Sequence, residues 1–237
     1  MIIFPAIDIK NGQCVRLFQG DFNTVEQVAS GPIVTARDFE ACGAKYLHMV
    51  DLDGAKFGTT SNLPVIEKIV KATDLFVEVG GGIRTMETID AYLSIGVNRV
   101  ILGTAAVTDR PFLEAALQKY GEKIAVGVDL KDGYVAIKGW TEKSQWMAET
   151  FFADLEMLGV STVICTDISR DGAMQGTNRA LYQALSEKYN IQLIASGGVS
   201  SLEDVKALNA MNLHGAIIGK AYYTGAINLP EALEVCR

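Results

Sequence analysis

A (β/α)8 barrel, eight parallel strands ringed by helices in a single domain, is the fold that this sequence predicts. Three observations carry it. Short apolar, β-branched runs alternate with longer helical stretches, there are eight such runs, and the second half of the chain repeats the first. The length of 237 residues suits one barrel, since barrels of about 250 residues are common. A hydrophobic share of 49% supplies a full core, and only 5 prolines argue against long disordered linkers.

In chain order the predicted strands occupy residues 2–7, 46–50, 75–79, 99–102, 123–128, 162–165, 192–195 and 215–218. The first is apolar but has no basic flank or small-residue cleavage site, and it runs into Asp8 and Lys10, so it reads as a buried strand and not as a targeting signal. Predicted helices fill the gaps at 35–41, 62–71, 86–95, 111–119, 145–158, 179–188 and 202–211. This rhythm alone leaves a doubly wound open sheet as the rival. The repeat decides between them. Offset by 116 residues, 77–107 lies on 193–223 without a gap, and 7 of the 31 positions are identical where about two are expected from average usage. Gly81 falls on Gly197, Gly82 on Gly198 and Gly103 on Gly219, while Asp51 falls on Asp167. An offset of 121 matches Asp8 with Asp129 and Gly12 with Gly133. Two alike halves, about 1–120 and 121–237, close naturally into a barrel with a pseudo-twofold axis, whereas an open sheet leaves two unlike edges.

The net charge of −7 leaves no basic field for nucleic acid or an anionic membrane, so any anionic substrate must be held locally. No run of about 18 apolar residues predicts a membrane span. Cys14, Cys42, Cys165 and Cys236 lack metal-ligand spacing, and a core of this size needs no disulfide staples, so reduced thiols in a cytoplasmic protein are expected. No Ser/His/Asp set or His/Cys cluster points to a hydrolase triad or a zinc site. His48 and His214, the only histidines, fall within or at the start of strands and read as satisfied core or bottom-face residues.

Barrel sites lie at the C-terminal ends of the strands. Asp8 ends strand 1 and Asp129 ends strand 5, so the pseudo-twofold sets the two carboxyls on opposite sides of the mouth, as a proton-removing and proton-delivering pair requires. Each also sits in a turn-like segment, but the shared repeat position favours chemistry. Gly80-Gly81-Gly82-Ile83-Arg84 and Ser196-Gly197-Gly198-Val199-Ser200 follow strands 3 and 7, and Gly103-Thr104 and Gly219-Lys220 follow strands 4 and 8. Backbone N–H groups in such turns converge on phosphates, and two symmetric sites imply a substrate phosphorylated at both ends. Thr166, Asp167 and Asp171, at and after strand 6, are candidates to orient or protonate it, with loop capping as the plain alternative. Asp51 serves to steady the mouth, and Trp140 can stack on a heteroaromatic ring or act as a hydrophobic plug.

Phe4-Pro-Ala-Ile-Asp-Ile-Lys-Asn-Gly-Gln-Cys-Val-Arg-Leu-Phe-Gln-Gly-Asp21 resembles the opening of the phosphoribosylformimino-5-aminoimidazole carboxamide ribotide (ProFAR) isomerase family of histidine biosynthesis. His48-Met-Val-Asp-Leu-Asp-Gly-Ala55, Gly80-Gly-Gly-Ile-Arg84, Thr166-Asp-Ile-Ser-Arg-Asp-Gly172 and Ala195-Ser-Gly-Gly-Val199 fit the same family in order, so the likeness spans essentially the whole chain. The resemblance implies an Amadori rearrangement of an aminoaldose to an aminoketose on a bisphosphorylated substrate, without metal or organic cofactor. It implies Asp8 as the base at C2′ and Asp129 as the acid that opens the furanose, with Asp171 as rival acid. It further implies phosphate contacts from Gly82, Gly103, Gly198 and Gly219, loop contacts from Arg84 and Trp140, and a place for Gly20 in the opening motif. The sister cyclase of the pathway, a barrel that also accepts phosphoribosylanthranilate, and a non-catalytic phosphosugar-binding barrel are the alternatives. Nothing in the chain points to an obligate protein partner, and a monomer is expected.

Overall fold

The computed structural model describes residues 1–237, apart from the Phe22 side chain. Its strands are β1 Ile2–Lys10, β2 Gln13–Phe18, β3 Asp21–Gln27, β4 Tyr46–Asp51, β5 Phe76–Gly80, β6 Arg99–Leu102, β7 Ile124–Lys131, β8 Tyr134–Ile137, β9 Glu142–Met147, β10 Thr162–Asp167, β11 Gln192–Ser196 and β12 Gly215–Ile218. Eight of them pair in parallel around a ring, β1-β4-β5-β6-β7-β10-β11-β12, and β12 returns to β1. The ring is closed, which excludes the open sheet.

Closure is achieved by stagger, because a barrel's hydrogen-bond register must shift as its strands tilt. On β1, Ile2 to Pro5 pair backward with β12, and Ala6 to Ile9 pair forward with β4. On β7, Ile124 to Val126 pair with β6, and Val126 to Leu130 pair with β10. Asp8 and Asp129 therefore stand at matching heights, each beyond the last residue paired to the preceding strand.

The sequence reading stops strands 1 and 5 at residues 7 and 128, but the structure carries them to Lys10 and Lys131 and turns each into a hairpin. Asn11-Gly12 has φ of 49° and 73°, and Asp132-Gly133 has 52° and 79°. Two consecutive positive φ values define the type I′ turn that matches the twist of paired strands. The hairpin strands β2 and β3, and β8 and β9, extend as antiparallel arms above the barrel. Consequently the helix expected at 145–158 starts only at Ala148, its first residues being the end of β9. The other expected helices are found at Pro32–Ala41, Leu63–Ala72, Met86–Ser94, Arg110–Tyr120, Arg179–Lys188 and Leu202–Ala210, and short additional ones occur at Leu52–Phe57, Thr104–Thr108, Lys220–Tyr223 and Leu229–Val235. Side-chain caps start several of them, with Thr85, Asp109 and Ser201 each accepting a backbone N–H of the first turn. Among the described residues no helix is long and apolar enough to cross a membrane.

Alternation along the strands divides the apolar residues into two cores. Outward residues such as Leu47, Met49, Val77 and Val79 pack against the helices, while Phe4, Ala6, Ile101, Ala125, Ile164, Ile194 and Ile217 fill the barrel interior. An interior enclosed by strands on every side collapses poorly around a deletion. Ile194→Ala should therefore destabilise the fold by about 2–5 kcal/mol in urea unfolding, with little change in m-value.

Candidate active site

Asp8 and Asp129 face one cavity of about 270 Å³ at the C-terminal end of the barrel. Its lining also holds Gly20, Gly81, Gly82, Arg84, Gly103, Thr104, Trp140, Thr166, Asp171, Gly197, Gly198, Gly219 and Lys220, so the residues singled out from the sequence converge on one place. Arg16, Lys138 and His48 line it too.

The first hairpin explains Arg16. β2 runs back along β1, and Arg16 Nη1 donates to Asp8 Oδ2 at 2.9 Å. Burial pulls the guanidinium pKa down, but Asp8 and Asp171 outweigh it and the net shift is upward. Arg16 Nε is buried and has no hydrogen-bond partner among the described residues. Burial also pushes Asp171 up to about 6, with Asp8 and Asp129 adding to the rise and Arg16 opposing it. Asp129 is likewise raised by burial, against the lowering influence of Trp140, Thr166 and His48. Asp8 and Asp171 thus both act on the Arg16 guanidinium, and burial favours the protonated form of Asp171 and of Asp129.

The glycines do two different jobs. A Cβ on Gly81 would collide with the Asp51 carbonyl oxygen, and one on Gly82 with that of Gly54. In the other half, Gly197 would strike the Asp167 carbonyl and Gly198 that of Gly176. These positions let neighbouring strand-to-helix loops touch backbone to backbone. Gly103 differs, since nothing lies within 4 Å of where its Cβ would be. Gly219 has nearly the same backbone (φ −106°, ψ −103°, against −99° and −105°) but is crowded by the Arg16 guanidinium. Thr104 Oγ1 accepts from Lys138 N at 2.8 Å, and Lys220 Nζ donates to Gly172 O at 3.0 Å, tying the turns after β6 and β12 to their neighbours. Arg84 Nη2 reaches Ala55 O at 3.3 Å.

Asp51 and Asp167 lie under the mouth as loop anchors. Asp51 Oδ1 accepts from Gly54 N and Asn62 Nδ2 at 2.9 and 2.7 Å, and Asp167 accepts from Ser169 N and Asn178 Nδ2 at 2.9 and 2.6 Å. Trp140, at the turn between β8 and β9 with φ 70°, packs so closely on Gly20 that a Cβ there would enter its ring. The two hairpins meet over the cavity. His48 is a buried strand residue, as expected from the sequence, but one edge of it opens to this cavity and not to the bottom face.

A (β/α)8-barrel enzyme with carboxyl groups as its chemical equipment is the class that this fold and mouth define. The chain belongs to the histidine biosynthesis protein family, whose profile matches residues 2–228. It is 54% identical over 235 residues to a protein of Listeria welshimeri, covering 99% of this chain and 98% of the relative. A protein of Oceanobacillus iheyensis is 51% identical over 234 residues, with 99% and 98% covered. Both relatives are named 1-(5-phosphoribosyl)-5-((5-phosphoribosylamino)methylideneamino) imidazole-4-carboxamide isomerase.

The raised Asp171 pKa carries a stability consequence. An unfolded Asp ionises near 3.8 and the folded one near 6, so between these values the folded state holds the extra proton and stability falls as pH rises. Above about 6 the penalty is complete. Asp171→Asn should therefore be more stable than the parent by about 1–3 kcal/mol at pH 7–8, with the difference shrinking toward zero by about pH 4. Chemical unfolding of the two proteins at matched pH values reads this directly.

Proposed function

We propose that this protein is an aldose–ketose isomerase that converts the bisphosphorylated aminoaldose ProFAR to its aminoketose by an Amadori rearrangement. Whole-chain identity above 50% to the two relatives that carry the isomerase name supports this over the sister cyclase. The observation that carries the chemistry is the set of carboxyls in a single mouth, Asp8 bonded to Arg16, with Asp129 and Asp171 lining the same cavity.

The steps balance as follows. An acid protonates the furanose ring oxygen and the C1′–O bond breaks, leaving a protonated imine. A base removes the C2′ proton, and the C2′–H electron pair forms the C1′–C2′ double bond as the imine π pair returns to nitrogen. The resulting enaminol loses its 2′-hydroxyl proton and takes up a proton at C1′, which gives the C2′ ketone with the C1′–N bond kept. Asp8 is the base, a carboxylate oriented by Arg16. The family resemblance implies Asp129 as the acid with Asp171 as rival. Burial supports Asp171, because it raises that carboxyl to about 6 and so leaves a minor protonated fraction at neutral pH, more than an ordinary aspartate retains. Asp129, within reach of Thr166 and Trp140, is left to hold the opened sugar. The turns at Gly103 and Gly219 take the terminal phosphates: they share one backbone conformation, Gly103 with open space beside it and Gly219 with the Arg16 guanidinium beside it.

Single-turnover rates and substrate affinity for Asp8→Asn, Asp129→Asn and Asp171→Asn separate these roles. Asp8→Asn should lose about 10² to 10⁴ in rate with affinity largely kept, because phosphate contacts hold the ground state. Asp171→Asn should be comparably slow and Asp129→Asn less so. A near wild-type rate for Asp8→Asn defeats the mechanism, while a severe Asp129 defect beside a mild Asp171 one returns the acid to Asp129.

A further inference from the structure

Below the mouth, the otherwise apolar barrel interior contains a column of charge. His48 is one layer deeper than Asp8, for it pairs with Ala6 while Val50 pairs with Asp8. Its Nδ1 lies 2.7 Å from Glu78 Oε1, and Glu78 is 0% exposed. The other oxygen, Glu78 Oε2, accepts from Arg99 Nε and Nη2 at 2.9 and 2.6 Å. Arg99 Nη1 donates to Thr162 Oγ1 at 3.2 Å, and its guanidinium lies 5.8 Å from the Phe4 ring centroid and 5.3 Å from that of Phe76. Contiguous strands β4, β5 and β6 thus supply an imidazole, a carboxylate and a guanidinium where the remaining strands supply Phe, Ala and Ile.

Buried ion pairs contribute little net stability, and apolar side chains of similar volume fill such a space as well or better. The column therefore points to a requirement other than holding the barrel together. Burial drives the Glu78 pKa up, but His48 and Arg99 outweigh it and leave it below the ordinary value. As an acceptor-only group it takes the Nδ1 proton of His48, so Nε2 becomes the nitrogen available above. Among the described residues no group bonds Nε2, and His48 lines the same cavity as Asp8 and Asp129.

We propose that Glu78 is a positioning residue for the isomerisation: clamped by Arg99, it fixes the ring and the proton of His48 so that Nε2 meets the substrate at the cavity floor. The proposal rests on the isomerase reading above. With the ring proton held at Nδ1, Nε2 accepts a hydrogen bond from a hydroxyl of the opened sugar, between the carboxyls that exchange its protons. Glu78 touches no substrate and acts only through His48.

The chain has 2 histidines, so ¹⁵N-histidine labelling gives two ring systems, and His214→Asn assigns them. The parent should show His48 protonated at Nδ1, and Glu78→Gln, which keeps the shape but loses the charge, should shift the His48 ring signals to a mixed or Nε2-protonated form. In Glu78→Gln, kcat should fall about 10- to 100-fold with KM changed by less than about 3-fold, since a misplaced group harms the transition state first. In a His48→Asn background the same substitution should cost less than about 2-fold, because the partner it acts through is gone. Unchanged His48 signals, or a full kcat loss persisting in the His48→Asn background, overturn the proposal. If Glu78→Gln does not fold, Glu78→Gln with Arg99→Met removes both buried charges and is read in the same way. A parent protein without isomerase turnover would instead overturn the function, while the nitrogen signals would still decide whether Glu78 sets the His48 proton.

Discussion

The structure depends on the stagger with which the parallel ladder closes. A strand that spends its first half on the preceding neighbour and its second half on the following one must rise above the rim on one side. β1 and β7 both do so, at equivalent places in the two halves, and the residues lifted in this way are Asp8 and Asp129. The hairpins then follow from the same extension, because each strand continues past its carboxyl into a type I′ turn and returns as a second strand. One return strand carries Arg16 to Asp8, and the other leads to Trp140. Placement of acid–base groups and construction of the roof are thereby one geometric event.

Below that rim, the mouth is kept narrow by backbone packed on backbone. Gly81 and Gly82 lie against the Asp51–Gly54 turn, Gly197 and Gly198 against Asp167 and Gly176, and the buried carboxyls Asp51 and Asp167 pin those turns through Asn62 and Asn178. Rigid walls suit a site in which burial raises the pKa of Asp129 and Asp171, because that effect would be lost to water in a loose cavity.

The sequence makes the ring of strands and the converging residues legible because each leaves a local mark: an apolar run, a repeated glycine, an aspartate just past a strand. It hid what depends on distant partners. β3 (Asp21–Gln27) and β9 (Glu142–Met147) are polar arms without an apolar face, so periodicity could not reveal them, although Asn11-Gly12 and Asp132-Gly133 are hairpin turn signals. His48 sits in an apolar run, and its meaning emerges only when Glu78 arrives on the next strand, 30 residues later. The glycine pairs were marked by sequence as phosphate turns. Lack of a Cβ serves close loop packing as well, and only coordinates show that a Cβ would strike backbone at Gly82 and meet nothing at Gly103.

The alternation that sends Phe4 and Ala6 inward and Ile3 and Ile7 outward has a further consequence for how this chain can vary. Strand faces repeat every two residues, so one residue inserted or deleted between Pro5 and Asp8 would rotate the carboxyl out of the lumen and drive an isoleucine into it. The segment between the two pairing partners of β1 thus behaves as a ruler graduated in pairs of residues. On β1 and its hairpin, a change of length is accommodated at the tip, where the backbone turns and no side-chain parity must be kept.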